Sequence, residues 1–404
     1  MGVRLQENGV SSFTRGQTAL LGGIFLLALA VRIAFVWTHP STLDFPDERS
    51  YNGVALNFMD GRGFILSDRL QVHRTPGYPL LLSAVYAMAG RENFLAVGLV
   101  QAIAGALTVL VAAWLALRLF SPAAGLFAAA VAAIYPFDVY LTPLILTETV
   151  FTLLLTALAL SWVQWVRPDC AGKKWRAALA GFLSGVTIMV KPSILPLVGL
   201  VAIAAALCMR PRKTAVVSAV IMLFFTGAFL VPWAARNYRL TGHPVLTTLW
   251  TGKSLYEAVG PQADGGPAMD KIKLAEPYLN EYDFNEYYLQ KSREEMRSDP
   301  ARMLRLAGAK FLRFWNIFPN SPQYRTGLFK AASAAFMLPL LILGVAGVFR
   351  NRGSLGILWP VLAPLVFFTL LHMVFVGSVR YRAPVMPCVM ALAAGSLWPR
   401  KGKS

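Results

Sequence analysis

Long apolar runs separated by short polar ones dominate the pattern of this chain. A run of about 20 apolar residues is the length that an α-helix needs to cross the core of a bilayer. Runs near this length fall at Thr18–Trp37, Phe94–Phe120, Ala123–Tyr140, Thr149–Val166, Ala177–Val190, Pro192–Cys208, Thr214–Trp233, Leu328–Phe349, Leu355–Val376 and Ala383–Trp398. Pro79–Gly90 is apolar but shorter, so it is an interfacial or re-entrant helix or an extension of the next span. The pattern predicts an all-α multi-span bundle with roughly nine to eleven spans.

Two large polar segments interrupt this pattern. The first covers residues 38–78, and the second, Ala234–Gly327, contains a Gly-rich stretch, an acidic aromatic stretch and the amphipathic ARMLRLAGAKFLRFWNIF. Mixed charge with helical periodicity predicts juxtamembrane helices that lie against the bilayer. We therefore divide the chain into a membrane core at residues 1–233 that includes the first loop, a loop unit at residues 234–327, and C-terminal membrane helices at residues 328–404.

Composition and charge support a multi-pass membrane protein. The chain has 56% hydrophobic and 14% charged residues and a mean hydropathy of +0.54. Its net charge of +18 fits basic cytoplasmic loops and anionic lipid or phosphate partners, and no nucleic-acid-binding motif accompanies it. Cys170, Cys208 and Cys388 lie far apart, which predicts neither disulfides nor a metal cluster. The first apolar run ends without a small-residue cleavage site, so we interpret it as an anchor.

The positive-inside rule gives an orientation. Short loops rich in Arg and Lys are expected on the cytoplasmic side, and placing the N-terminus there satisfies this rule along the chain, provided that Pro79–Gly90 does not span. Both large loops then lie on the outer side of the membrane. The ends of the predicted spans bring Glu148, Lys191, Arg236 and Arg380 to that same side.

The first loop carries the strongest candidate chemistry. Asp47 and Glu48 form a carboxylate pair with Tyr51 one helical turn later, and the cationic turn His73-Arg74 follows. Transfer of a sugar from a lipid phosphate to a hydroxyl needs a carboxylate to take the proton and cations to hold the phosphate. The plainer alternatives are a helix cap for Asp47, a lipid headgroup contact for Arg74, and an interfacial aromatic for Tyr51.

Other charged residues at the outer ends of the spans are further candidates. Glu148 lies close to membrane depth, where ionisable groups are costly and usually functional, and Asp138 is its rival. Lys191, Arg236 and Arg380 bind either a phosphate of the substrate or ordinary headgroups. Arg32, inside the first span, either reaches to the interface or faces a polar cavity.

At the first loop the sequence resembles a known family. FPDERSYNGVALNFMDGRGF followed by HRTPGYPLL is similar to the first periplasmic loop of GT-C glycosyltransferases of families 39 and 83, the bacterial relatives of protein O-mannosyltransferases and aminoarabinose–lipid A transferases. LFSPAAGLFAAAVAAIYPFDVYLTPLILTETVF, PWAARNYRLTG and VRYRAPVMP resemble later segments of those proteins in the same order. The resemblance covers nearly the whole chain and is weakest from Gly260 to Pro322.

The resemblance implies a bacterial inner-membrane glycosyltransferase that uses a polyprenyl-phosphate-linked sugar. It implies that Asp47 is the catalytic carboxylate, that Arg74 contacts the lipid phosphate, and that Glu148 is the second acidic residue. Lys191 stands where relatives often carry a basic residue. Glu48 is a further catalytic candidate, and Tyr51, Arg236 and Arg380 are candidates for substrate binding. The DxD tripeptide of nucleotide-sugar enzymes is absent from the sequence, which predicts no nucleotide donor, no obligatory metal and no cofactor.

These inferences give one function and two alternatives. The predicted enzyme has its site on the periplasmic face, uses Asp47 as general base, inverts the anomeric centre, and lets the phosphate leave against Arg74 with Lys191 or Arg236 assisting. The acceptor is an envelope glycan, a lipid or a protein, and the second polar segment is expected to select it. The alternatives are a lipid or solute transporter without catalysis and a ligase or phosphotransferase acting on lipid-linked oligosaccharides.

Overall fold

A computed structural model of the chain describes residues 12–167, 174–269, 279–320 and 327–400. Within these ranges the secondary structure is helical, and an isolated bridge between Ser67 and Leu70 is the only β-type pairing. The helices, in order, are α1 Arg15–Thr38, α2 Pro46–Met59, α3 Gly77–Ala89, α4 Phe94–Leu119, α5 Pro122–Ala133, α6 Pro136–Leu141, α7 Glu148–Val166, α8 Lys174–Val190, α9 Leu195–Cys208, α10 Arg212–Thr241, α11 Thr251–Val259, α12 Glu281–Ser298, α13 Pro300–Phe314, α14 Gly327–Arg350, α15 Leu355–Val374, α16 Val379–Arg382 and α17 Met386–Leu397. Cys170 lies outside the described residues.

The predicted all-α membrane fold is confirmed, while the lengths of several helices differ from the prediction. In the described part of the chain, six helices (α1, α4, α7, α10, α14 and α15) are long and apolar enough to cross a membrane. The other apolar helices of the bundle, α5, α8, α9 and α17, have 12 to 17 residues. At a rise of about 1.5 Å per residue they are shorter than a hydrocarbon core of about 30 Å.

One predicted span is wrong as a continuous helix. Ala123–Tyr140 was expected to be one span that ends at Tyr135-Pro136-Phe137-Asp138, but α5 ends at Ala133 and a separate helix, α6, begins at Pro136. Proline lacks an amide hydrogen and disfavours helical geometry at the residue before it, and Tyr135 accordingly has extended φ and ψ. The chain therefore turns at Tyr135 before it reaches the head of α7.

Glycine residues bring the bundle helices into close contact. A Cβ added at Gly181 on α8 would meet the carbonyl oxygen of Met222 on α10, and one added at Gly185 would meet the ring of Phe229. Gly347 on α14 faces the backbone of Leu392 on α17 in the same way. Small residues at helix contacts allow the backbone approach that membrane bundles depend on.

The two large polar segments dock on one another at one end of the bundle. Arg236 on α10 donates hydrogen bonds to the carbonyl oxygens of Phe64 (2.9 Å) and Gln71 (2.8 Å). Glu281 at the start of α12 accepts bonds from the amides of Gln71 (2.7 Å) and Val72 (2.8 Å). The amide of Leu249, just before α11, also donates to the carbonyl oxygen of Val72 (3.0 Å). These bonds place the start of α12 and the residues before α11 over the loop that precedes α3, so the second polar segment covers the first.

Candidate active site

The start of α2 fixes the position of Asp47. Pro46 begins the helix, where a missing amide hydrogen costs nothing, and the carboxylates of Asp47 and Glu48 follow in the first turn. That position also suits a negative charge, because the helix N-terminus carries a partial positive charge. Asp47 is not the cap residue: Phe45 occupies the cap position and makes no side-chain cap bond.

Asp47 belongs to a continuous row of alternating charges, which we call the ion network. Its Oδ1 lies 2.7 Å from Nη2 of Arg74, and its Oδ2 lies 2.9 Å from Nη2 of Arg380. Arg380 also donates through Nε to Oε1 of Glu148 at 2.8 Å, and Nζ of Lys191 reaches the same oxygen at 3.0 Å. Five predicted site residues from five separate parts of the sequence thus meet in one place.

Burial differs along the ion network. The side chain of Glu148 is fully buried, and those of Arg74, Lys191 and Arg380 are mostly buried. Asp47 has 31% of its side chain exposed and is the most accessible member. Two carboxylates against three cations leave a net charge of +1 at neutral pH, which suits binding of an anion next to Asp47.

The arginines set the protonation state of Asp47. Burial by itself would raise the pKa of Asp47, but the charges of Arg380 and Arg74 and their hydrogen bonds hold that pKa well below its usual range. Burial would likewise lower the pKa of Arg380, and the facing carboxylates of Glu148 and Asp47 instead raise it well above its ordinary value. Asp47 is therefore ionised and a weak base while both arginines remain on it.

Neighbouring side chains orient the cations. The guanidinium of Arg74 lies 4.6 Å from the ring centre of Tyr51, and its Nε donates to Oγ of Ser50 at 3.0 Å. The ring of Tyr381 lies 5.3 Å from Nζ of Lys191 and 5.4 Å from the guanidinium carbon of Arg380. Both rings supply cation–π contacts that hold charge in place. Tyr381 was not predicted, although it stands within the quoted segment VRYRAPVMP.

Glu48 lies apart from the ion network. It is fully buried and accepts hydrogen bonds from Oγ of Ser41 (2.6 Å), from the amide of Phe45 (3.0 Å) and from the amide of Ile145 (2.8 Å). These bonds tie the start of α2 to the segment that precedes α7. The catalytic role predicted for Glu48 stays a prediction, and its contacts are those of a structural link.

Three other charged residues have contacts outside the network. Arg236 holds the first loop through backbone carbonyls, as described above, and its guanidinium lies 4.7 Å from the ring of Trp233. Arg32 is buried and donates to the carbonyl oxygens of Ala132 and Ala133, so it faces the bundle interior rather than the interface. Asp138, the rival of Glu148, lines a small cavity between α4 and α7.

No metal site is evident from the described side chains. In the ranges that the structure covers, no group of three or more His, Cys, Asp and Glu residues could hold an ion. His73 is buried against the indole of Trp250, with ring centres 4.2 Å apart, and its Nδ1 has no hydrogen-bond partner there.

Sequence comparison identifies a related family for part of the chain. Residues 73–234 match the model of the family described as dolichyl-phosphate-mannose-protein mannosyltransferase. This stretch includes Arg74, Glu148 and Lys191, while Asp47 and Arg380 lie outside it. No curated protein sequence gave a match.

Comparison with solved structures identifies the fold. The archaeal oligosaccharyltransferase AglB from Archaeoglobus fulgidus, in complex with an inhibitory peptide and a dolichol-phosphate, matches with a TM-score of 0.57 and 16% identity over 95% of this chain and 50% of that one. The same enzyme tethered to an acceptor peptide matches with a TM-score of 0.58 and 14% identity, again over 95% of this chain and 50% of that one. ArnT from Cupriavidus metallidurans bound to undecaprenyl phosphate has a TM-score of 0.44 and 14% identity, over 95% of this chain and 78% of that one. The chain thus spans about half the length of the oligosaccharyltransferase.

These findings confirm the resemblance to GT-C proteins that the first-loop motif indicated. The family match covers α3 through most of α10, and the fold of AglB extends over nearly the whole chain. The protein is a multi-pass membrane protein of this fold.

Proposed function

We propose that this chain, which has the GT-C fold and resembles dolichyl-phosphate-mannose-protein mannosyltransferases over residues 73–234, transfers a sugar from a polyprenyl-phosphate carrier to an acceptor hydroxyl. The observation that carries the proposal is the ion network. It places the accessible carboxylate of Asp47 directly between two arginines, with a further cation, Lys191, at the other end of the row.

The charge of the ion network favours a donor with a single phosphate. A sugar linked to a lipid through one phosphate carries one negative charge, which matches the net +1 of the three cations and two carboxylates. When the sugar leaves, the lipid phosphate becomes a monoester of charge about −1.5 to −2. If Asp47 takes the acceptor proton in the same step, the network gains one positive charge and again balances the phosphate. A diphosphate carrier would bring additional negative charge that the network does not match.

In the proposed reaction the acceptor oxygen attacks the anomeric carbon from the side opposite the phosphate. The bond from the anomeric carbon to the phosphate oxygen breaks with its electron pair going to that oxygen, so the anomeric centre is inverted. Asp47 removes the acceptor proton as general base. As Arg74 and Arg380 turn toward the growing charge of the phosphate, they release Asp47, and its pKa and basicity rise when the proton must be taken.

Glu148 and Lys191 serve the phosphate side of the site in this proposal. Glu148 binds both Arg380 and Lys191 through one oxygen and thereby fixes their separation. Lys191 stands at the turn between α8 and α9, where the phosphate of a membrane-embedded lipid is within reach. Arg236 contributes indirectly, since it holds the loop that carries Arg74.

The sequence and the related fold support a location for the site and leave the class of acceptor open. AglB was solved with an inhibitory peptide and a dolichol-phosphate, which supports a lipid-phosphate donor and leaves a protein acceptor beside the glycan and lipid ones. We place residues 234–327 on the acceptor side. The basic short loops support an N-terminus in the cytoplasm and a site on the periplasmic face of a bacterial inner membrane.

The test is a transfer assay in proteoliposomes with radiolabelled polyprenyl-phosphate sugars and extracted envelope acceptors. We expect Asp47→Asn to lower transfer by about 10²–10⁴-fold, the scale of a lost general base, while binding of the donor persists. Asp68→Asn is the matched control, because Asp68 lies in the same loop with 89% of its side chain exposed and pairs only with Arg62 among the described residues.

Two results would change the conclusion. Full transfer by a folded, membrane-inserted Asp47→Asn variant would remove Asp47 as the base. Donor binding without transfer, equal in wild type, Asp47→Asn and Arg74→Ala, would instead support the transporter alternative.

A further inference from the structure

Helix α11 brings a cation to the Arg74 end of the ion network. Nζ of Lys253 lies 4.4 Å from the ring centre of Trp250, the residue at the start of α11. The guanidinium carbon of Arg74 lies 5.7 Å from the same ring, and His73 meets it edge-on. One indole is thus surrounded by two cations and by a buried histidine whose Nδ1 has no partner.

Glu257 is the carboxylate whose charge acts on Lys253, and Asp47 is the carboxylate that pairs with Arg74. Lys253 forms no ion pair with any residue in the described ranges, and Arg74 shares its single carboxylate, Asp47, with Arg380. Glu257 lies one turn after Lys253, and its Oε1 accepts a hydrogen bond from the amide of Ala268. Burial lowers the pKa of Lys253, the charge of Glu257 opposes this effect, and the repulsion from the nearby charge of Arg74 adds to it. An anion bound between Arg74 and Lys253 would remove this repulsion.

The N-terminal end of α11 adds to the same potential. Trp250 occupies the cap position without a side-chain cap bond, and Lys253 lies in the first turn. The amide of Gly252 in this turn donates to Oδ1 of Asn285 (2.8 Å), and the partial positive charge of the helix N-terminus still favours a nearby anion. Gly252 allows this turn to lie against the backbone of Asn285 on α12, because a Cβ there would meet the carbonyl oxygen of Asn285.

We propose that Lys253, Arg74 and the N-terminal turn of α11 form a second anion subsite that holds a phosphate or carboxylate group carried by the transferred sugar or by the acceptor. This inference rests on the function proposed above. The lipid phosphate of the bound donor lies at Arg380 and Lys191, and Arg74, which the two sites share, turns to that phosphate as the sugar leaves. The two places are separated by Asp47, which contacts Arg74 through one oxygen and Arg380 through the other. An acceptor that gives its proton to Asp47 lies next to α11.

The first test measures binding without transfer. Purified protein is saturated with undecaprenyl phosphate, and binding of inorganic phosphate, glucuronate and glucose is then measured by calorimetry. We expect Lys253→Gln to weaken binding of phosphate and glucuronate by about tenfold, the scale of one charge-assisted hydrogen bond, and Lys253→Arg to restore it. Lys291→Gln is the matched control, because Lys291 is a half-exposed lysine on the neighbouring helix α12. Two results would overturn the proposal. One is equal anion binding by wild type and Lys253→Gln. The other is that wild type binds the anions without undecaprenyl phosphate but not when it is saturated with it.

The second test identifies the source of the anion. Transfer by Lys253→Gln is compared with wild type for an acidic and a neutral donor sugar, and for acceptors with and without a phosphate group. If Lys253→Gln lowers transfer at least tenfold more for the acidic donor than for the neutral one, the anion belongs to the sugar. If it lowers transfer more for the phosphorylated acceptor than for the unphosphorylated one, the anion belongs to the acceptor. Equal losses for all pairs would contradict the subsite.

Failure of the subsite and failure of the proposed function remain distinguishable. If undecaprenyl phosphate binds wild type and Arg380→Gln equally well, the proposed donor site is wrong whatever happens at Lys253. If only Arg380→Gln loses undecaprenyl phosphate and Lys253→Gln changes nothing, the donor site stands and the subsite is rejected.

Discussion

At the scale of single residues, the state of Asp47 decides what the site can do. Two arginines hold its carboxylate ionised, so it is available to accept a proton but binds that proton weakly. The sequence identified both partners as candidates, yet it could not pair them with Asp47. Arg380 is 333 residues away along the chain, and only the folded bundle brings the two together.

Arg380→Gln is expected to change the pH dependence of transfer. Because Arg380 lowers the pKa of Asp47, its removal raises that pKa, and the acid limb of kcat/KM shifts to higher pH. The rate at neutral pH should also fall by about 10²-fold, since one cation facing the phosphate is lost. The measurement is a profile of kcat/KM from pH 4 to pH 8, in which wild type and the control Arg239→Gln on α10 should show no acid limb and Arg380→Gln should lose activity toward pH 4. An Arg380→Gln profile without an acid limb, like that of wild type, would show that Arg380 does not set the pKa of the base.

At the scale of helices, a close contact between α3 and α8 joins the two ends of the ion network. Gly77 begins α3 shortly after Arg74, and α8 ends at Val190, directly before Lys191. A Cβ at Gly77 would lie 2.7 Å from the carbonyl carbon and oxygen of Met189. The packing of these two backbones therefore sets the distance between the loop that carries Arg74 and the turn that carries Lys191.

Gly77→Ala is expected to lower stability and transfer together. The added methyl group meets backbone atoms that cannot turn away, and such overpacking typically costs about 1–3 kcal/mol of unfolding free energy. Gly227→Ala in α10 is the control: it has open space around it and should be neutral or stabilising by up to about 1 kcal/mol. Unfolding midpoints in detergent and transfer rates are compared for both variants. A Gly77→Ala protein with wild-type stability and rate would contradict this role of the contact.

The sequence predicted long helices better than short ones. Several bounds of α1, α4, α7, α14 and α15 agree with the apolar runs to within a few residues, because a long uninterrupted run permits little else. The prediction placed the end of the span Ala123–Tyr140 at Tyr135-Pro136-Phe137-Asp138, but it did not divide the run into two helices, because apolar residues continue beyond Pro136. Helix α11 was also missed, because its nine residues are amphipathic but were interpreted together with the Gly-rich stretch that follows them. Lys253 was not recognised for the same reason.

At the scale of the whole molecule, the chain is strongly basic, and one end of its bundle is covered by both large polar segments. The positive-inside rule predicts that this end lies outside the cytoplasm. Cys208 lies exposed at the end of α9, at the membrane side opposite to the first loop in the predicted orientation. This native thiol and an introduced one can therefore report on both faces of the membrane.

The orientation is tested by labelling with a membrane-impermeant maleimide in a Cys170→Ser background. We expect the Asp68→Cys variant to be labelled in intact spheroplasts, because the side chain at this position is exposed in the first loop. Cys208 should react only after permeabilisation, and buried Cys388 should stay unreacted until the protein is denatured. Labelling of Cys208 in intact spheroplasts, with Asp68→Cys protected, would reverse the orientation.

The bonds between the two polar segments have a consequence for how this protein can diversify. Arg236 and Glu281 grip the first segment through carbonyl and amide groups of Phe64, Gln71 and Val72, and these groups are present whatever side chains stand there. Side chains in that stretch can therefore be substituted without loss of these hydrogen bonds. The second polar segment can also change in sequence as long as Arg236 and Glu281 are kept. If residues 234–327 select the acceptor as we propose, acceptor preference can change without altering the residues proposed to bind the carrier lipid.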